Sequence, residues 1–173
     1  NGSLANIKQN IQHTGSGPDR RQASAHVHQV LFSPDKKYVL YAKKNNLYYM
    51  DTANYRKAQI KEDDSTIVEY QLTTDGVEDY SYGGGFGNET NVDKEKNKDK
   101  RKSAFVMWSP DGKHFALTRS DNRKVKELWV INNVAEPRPT LETYKYQMPG
   151  EKEAPMDHLM IVDMTAFSYK EID

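Results

Sequence analysis

The sequence predicts an all-β fold, a partial β-propeller of antiparallel multi-stranded blades with about three to four blades present. Three observations predict it. Two stretches share one pattern: Phe32-Ser33-Pro34-Asp35 leads into an apolar run at residues 38–42, and Trp108-Ser109-Pro110-Asp111 leads into one at residues 114–118. The flanking runs are short and rich in β-branched and aromatic residues, which strands favour, and breakers recur too often for helices. A third run follows each pair, Leu47-Tyr48-Tyr49-Met50 and Leu128-Trp129-Val130-Ile131. Strand, turn, strand, turn, strand, written twice, argues for radially or linearly stacked sheets rather than one globular core.

Composition narrows the class. The chain has 173 residues, the length of one domain, with 25 basic and 25 acidic side chains, so no net field draws it to nucleic acid. Mean hydropathy is low at -0.93. The 11 tyrosines offset this, because each buries a large ring and asks only for a hydroxyl partner. The absence of cysteine excludes disulfides and thiolate chemistry. No apolar run reaches the roughly 18 to 20 residues that span a bilayer, and no signal peptide is visible. The chain starts at Asn1 without a methionine, so a trimmed or processed fragment is expected.

Taken in order, residues 1–25 read as an extension or partial strand, and residues 26–173 as the partial propeller. His26 and His28 share one side of an extended segment, a spacing that metal sites use, yet no third ligand stands nearby, so they read as strand histidines. In each Ser-Pro-Asp turn the proline supplies its fixed φ and the aspartate bonds the local backbone, with Lys36 or Gly112 completing the reversal. Asn45-Asn46 suits a tight turn before residues 47–50. Residues 54–66 read as a polar connection with at most one short strand. Residues 67–72 read as a strand closing on Thr73-Thr74-Asp75-Gly76. The repeats stand 76 residues apart. A four-stranded blade takes about 40 to 45, so either a further blade lies between them or the connections are inflated. The charge run at residues 93–102, six basic and three acidic, reads as a solvated loop. After the second repeat, residues 141–148 read as an extended segment, residues 158–164 as a late strand, and Phe167-Ser168-Tyr169-Lys170 as a short edge. Val130, Ile131, Ile161 and Val162 are the expected core.

Chemistry is sparse. Gly83-Gly84-Gly85-Phe86-Gly87 lacks the Gly-Lys-Ser or Gly-Lys-Thr ending of a phosphate loop, and no G-x-G-x-x-G opens a helix, so the cluster reads as a turning loop. Asp63-Asp64 and Glu78-Asp79 are adjacent acids whose side chains point apart on an extended backbone, which suits neither to two-acid hydrolysis. Glu78 and Asp79 draw interest because Tyr80, Tyr82 and the glycine loop adjoin them. No G-x-S-x-G elbow occurs, so no catalytic residue is expected in this chain. No cofactor, metal or nucleic acid is expected either.

The order of Ser33-Pro34-Asp35, Leu47-Tyr48, Gln71-Leu72-Thr73-Thr74-Asp75-Gly76, Trp108-Ser109-Pro110-Asp111-Gly112-Lys113 and Arg138-Pro139-Thr140-Leu141-Glu142-Thr143-Tyr144 through Pro149-Gly150 resembles the N-terminal propeller region of dipeptidyl peptidase IV and its bacterial relatives, serine peptidases of the prolyl oligopeptidase group. The resemblance covers roughly residues 26–164. It implies a parent in which an α/β-hydrolase domain carries serine, aspartate and histidine, while the propeller limits access and binds the substrate's free amino end with two glutamates. Asp79-Tyr80-Ser81-Tyr82 corresponds to the segment before those glutamates, but Gly83 and Gly84 stand in their place, and Glu89 is the nearby acid that could compensate. The candidate substrate-side residues are therefore Glu78, Asp79, Tyr80, Tyr82 and Glu89. The expected function is that of a non-catalytic propeller gating and orienting peptide substrate for the peptidase domain, in the periplasm or outside the cell. Self-association through incomplete propeller edges is a second expectation. The alternative is a TolB-like propeller that binds a protein or a cell-envelope component.

Overall fold

The computed structural model describes residues 31–83 and 89–172, so the expected N-terminal extension, the His26 and His28 pair and Gly84 to Gly87 lie outside the described residues. Two antiparallel sheets and a two-stranded ribbon make up the fold. The first sheet runs β1 (Leu31–Phe32), β2 (Tyr38–Lys43), β3 (Asn46–Asp51) and β4 (Tyr70–Gln71) in chain order, with α1 (Thr52–Ile60) between the last two. The second sheet centres on β7 (His114–Asp121). One of its edges meets β10 (Met156–Asp163), which pairs in turn with β11 (Ser168–Ile172). Its other edge is shared by β6 (Val106–Trp108), opposite Phe115 to Leu117, and β5 (Tyr80–Ser81), opposite Ser120 and Asp121. Between β5 and β6 lies α2 (Asn91–Asn97), and β8 (Glu127–Asn132) pairs with β9 (Thr140–Lys145) as the ribbon.

The repeated turns are built alike. Ser33 Oγ donates to Asp35 Oδ1 at 2.6 Å and accepts the Tyr38 N–H at 3.0 Å, while Asp35 accepts the Lys37 N–H at 3.1 Å. Ser109, Asp111, Lys113 and His114 repeat these bonds at 2.6, 3.0 and 3.0 Å. Serine and aspartate thus satisfy the turn's own amides, and the hydroxyl bond pulls the Asp35 carboxyl down to about 2. The fourth residue must take positive φ: Gly112 does so freely at 69°, whereas Lys36 does so at 58° with a side chain attached. A Cβ placed on Gly112 would lie 3.5 Å from Pro34 Cδ, so the two turns lie against each other.

Between the sheets, Leu40, Ala42 and Leu47 of the first meet Phe115, Leu117, Met160 and Val162 of the second, with Leu72, Tyr82 and Ala104 filling the seam. Alternate residues of β2, Val39 and Tyr41, pack with Met50 and Tyr55 into a second cluster beside α1. Burial of both faces explains the unbroken apolar run in β2. In the second sheet only one face is covered, so Met107 is 73% exposed and Leu159 also reaches solvent.

Several expectations change. The third strand of the second repeat is β10, whose eight residues pair with all of β7; among the described residues β8 pairs only with β9. Ile131, expected in the core, is 72% exposed for that reason, whereas Val162 is fully buried. Residues 54–66 are mostly helix and loop: the Asp51 carboxylate accepts the Asn54 N–H at 2.6 Å and starts α1. Thr90 caps α2 by accepting from Asp93 N–H at 3.1 Å, so the charge run is part helix. Of residues 67–72 only Tyr70 and Gln71 pair as a strand. The tight turn falls on Lys44 and Asn45, both at positive φ, and Asn46 already belongs to β3. Among the described residues no further sheet separates the repeats; α1, α2 and their flanking loops account for the spacing.

Candidate functional site

The expected turn at Thr73-Thr74-Asp75-Gly76 is only a bend at Thr74, and the reversal falls on Glu78 and Asp79 between Val77 and Tyr80. Thr73, fully buried, accepts the Leu47 N–H at 2.9 Å and donates to Asn46 Oδ1 at 3.1 Å. Asn46 also accepts the Gly76 N–H at 2.8 Å. A Cβ on Gly76 would fall 2.0 Å from the Asn45 carbonyl oxygen, an approach that only glycine permits. Fixed in this way, Asp75 reaches across the seam to the second sheet. Its Oδ2 and its carbonyl oxygen each accept a bond of 2.6 Å from the Arg119 guanidinium, and its Oδ1 accepts from Tyr82 Oη at 2.8 Å.

Arg119 is 2% exposed, and its guanidinium carbon lies 3.4 Å from the Tyr80 ring centre and 4.4 Å from that of Tyr82. Arg123 stands over Tyr80 as well, at 3.9 Å, and grips Asp121 with bonds of 2.9 and 2.6 Å. Burial raises the Asp75 carboxyl, but the Tyr82 and Arg119 bonds outweigh it and hold the group below its ordinary value. Burial and the neighbouring Asp75 carboxylate push the Tyr82 phenol up.

Beside this joint opens a cleft of about 670 Å³ lined by both sheets, α2 and Lys145 of β9. The structure brings four of the five candidates to it, namely Glu78, Asp79, Tyr82 and Glu89. Tyr80 does not line it, being held against the two arginines and edge-on to His158. The acids already have partners. Asp79 lies 2.5 Å from Lys94 and 3.8 Å from Lys145, Glu78 lies 3.4 Å from Lys94, and Glu89 lies 2.6 Å from Lys102. Burial lowers the Lys94 ammonium, yet its bonds to Asp79 and Glu78 raise it overall above the usual lysine value. The cleft is thus a neutralised lattice, able to bond a peptide backbone but without an uncompensated carboxylate pair among the described residues.

Gly83 shows why no carboxylate stands at its position. A Cβ there would lie 2.0 Å from Ala42 Cβ and 2.8 Å from the Ser103 carbonyl oxygen, so the two sheets close on a bare backbone. Gly84 lies outside the described residues. Sequence reasoning missed Arg119, Lys94, Lys102 and Lys145. Arg119 had a readable signal: it continues the core face of Phe115 and Leu117 in steps of two, and a charge at such a position demands a partner. The lysines had none, since their partners sit on other elements. Among the described residues no three His, Asp or Glu side chains gather as a metal site, and no helix is long and apolar enough to cross a membrane.

A family model described as the dipeptidyl peptidase IV N-terminal region matches residues 4–173. The crystal structure of Porphyromonas gingivalis dipeptidyl peptidase 4 is similar over 83% of this chain, with a TM-score of 0.57 and 24% identity. A Bacteroides ovatus protein described as a dipeptidyl aminopeptidase IV is similar over the same share, with a TM-score of 0.53 and 17% identity. The matched part is 18% of the first of those chains and 16% of the second, so this chain spans less than a fifth of either. No curated protein matches it.

Proposed function

The chain belongs to the dipeptidyl peptidase IV N-terminal region family, and we propose that it is the non-catalytic propeller part of a serine exopeptidase or oligopeptidase. Its sheets serve as blades of a ring that gates and orients peptides for an α/β-hydrolase domain. One observation carries this reading: the two Ser-Pro-Asp turns lie against each other, and the two repeats pack through a shared apolar core with a cleft at their seam. Repetition of that step generates a ring, and the cleft then faces peptide on its way to the hydrolase. Glu78, Asp79, Tyr82 and Glu89 supply the peptide-facing wall, with Tyr80 bracing it from behind. We further propose that the protein works in the periplasm or outside the cell, which fractionation of the source cells tests.

End recognition is where this chain departs. With Gly83 closed against Ala42 and the nearby acids paired with lysines, a substrate ammonium finds no free carboxylate pair among the described residues. Truncating one partner of a buried charged contact costs about 2 to 5 kcal/mol, so a strict dipeptidyl enzyme loses about thirtyfold or more when the amino end is blocked. Here free and N-terminally blocked peptides are expected to be cut with kcat/KM values within about tenfold of each other by the full-length protein. A hundredfold preference for free amino ends overturns the altered recognition. A coding sequence that continues without a G-x-S-x-G elbow overturns the peptidase reading itself.

A further inference from the structure

Helix α2 is seven residues long and has no buried side chain. A helix this short has no stability of its own in water, so whatever protects it must come from its ties. Each tie is polar. Lys94 reaches Asp79 at 2.5 Å and Glu78 at 3.4 Å, Asn91 Oδ1 accepts the Thr143 N–H of β9 at 3.0 Å, and Asp99 lies 3.3 Å from Lys44. The segment's far end is anchored differently. Lys102 and Ala42 exchange backbone bonds of 2.7 and 2.9 Å, and Arg101 donates to Glu69 at 2.6 Å, so this end belongs to the first sheet. From that anchor the segment runs along the cleft to the ribbon, contributing Asn91, Lys94, Glu95 and Lys98 to its lining.

We propose that residues 89–102 form a strap over the cleft, hinged at its Lys102 end and latched by Lys94 on Asp79 and Glu78, and that it opens when the latch is broken. Opening frees Glu78, leaves Asp79 with Lys145 alone and widens the cleft, while the core between the sheets stays intact because α2 contributes no side chain to it. The inference concerns the strap alone and holds whether or not the cleft handles peptide.

Hydrogen exchange on the full-length protein, read by mass spectrometry, tests it without any activity. In wild type, raising salt from about 0.01 M to about 1 M shortens the screening length from about 30 Å to about 3 Å, which speeds exchange across Asn91–Asn97 and leaves β7 unchanged. Lys94→Met speeds α2 exchange about tenfold at low salt and removes most of the salt response. Lys98→Met, which loses contacts with Glu95 and Asp99 inside the same segment, leaves exchange at the wild-type rate. Salt-independent protection of α2 in wild type overturns the strap. So does wild-type exchange in Lys94→Met, or equal acceleration by both substitutions, which would mean that helix propensity alone controls the segment. The wild-type salt series stands even if a variant fails to fold.

Discussion

Replacing Arg119 by methionine removes a guanidinium that joins the two sheets at one point. Two bonds of 2.6 Å to Asp75 are lost, along with the contacts over Tyr80 and Tyr82. Removing one partner of a buried ion pair costs about 3 to 5 kcal/mol when the other is left buried and uncompensated. Asp75 is not so placed: its side chain is 44% exposed and keeps the Tyr82 bond, so water can reclaim it. The charged hydrogen bonds are worth about 1.5 to 3 kcal/mol. Each ring contact adds about 0.5 to 2 kcal/mol, offset because methionine needs no desolvated charge. The net expectation is a loss of about 2 to 4 kcal/mol. The converse change separates the terms. Asp75→Asn leaves the guanidinium in place, 2% exposed, with an Nε that already lacks a hydrogen-bond partner among the described residues. It should therefore cost about 3 kcal/mol although Asp75 itself is half exposed, because the buried partner decides. Urea unfolding of the chain followed by tryptophan fluorescence measures both, and the double variant should fall short of additivity by about 1 to 2 kcal/mol. An Arg119→Met chain within about 0.5 kcal/mol of wild type would refute the reasoning, since desolvation would then cancel the pairing.

The remaining predictions follow from local geometry. Lys36→Gly should stabilise by up to about 1 kcal/mol and Gly112→Ala should destabilise by about 1 kcal/mol, since both sites hold positive φ; opposite shifts in urea midpoint check this. Gly83→Ala should lower the melting temperature through overpacking of about 1 to 3 kcal/mol, because its Cβ meets backbone and Ala42 rather than a flexible chain end; an unchanged melting curve would deny the close seam. Asp121, held down to about 2 by the Arg123 bonds, has a folded value below its unfolded value near 3.9. Its contribution is full above about pH 4 and is lost as pH falls toward about 2, so the stability gap between wild type and Asp121→Asn should close in that window. A gap that persists at lower pH would assign the effect to something other than the carboxylate charge.

Sequence by itself determined the local parts. Both Ser-Pro-Asp hairpins were legible because every bond that shapes them lies within six residues of chain, whereas the Thr73 to Gly76 stretch is held by Leu47 and Asn46, 26 to 30 residues away. The late strand at residues 158–164 was also readable from its apolar run. The two helices were not: α1 and α2 begin on single capping side chains, Asp51 and Thr90, and are too polar to show a periodic apolar face. Only the tertiary structure decided which strand meets which. Leu128-Trp129-Val130-Ile131 reads as a strand of the second sheet as well as β10 does, and the choice between them rests on partners far along the chain. The same holds at the site. Asp75 and Arg119 are 44 residues apart, and Lys94, Lys102 and Lys145 meet their acids through folds that no short window contains. Turn chemistry acts on neighbours in sequence, whereas pairing and charge compensation act on neighbours in space.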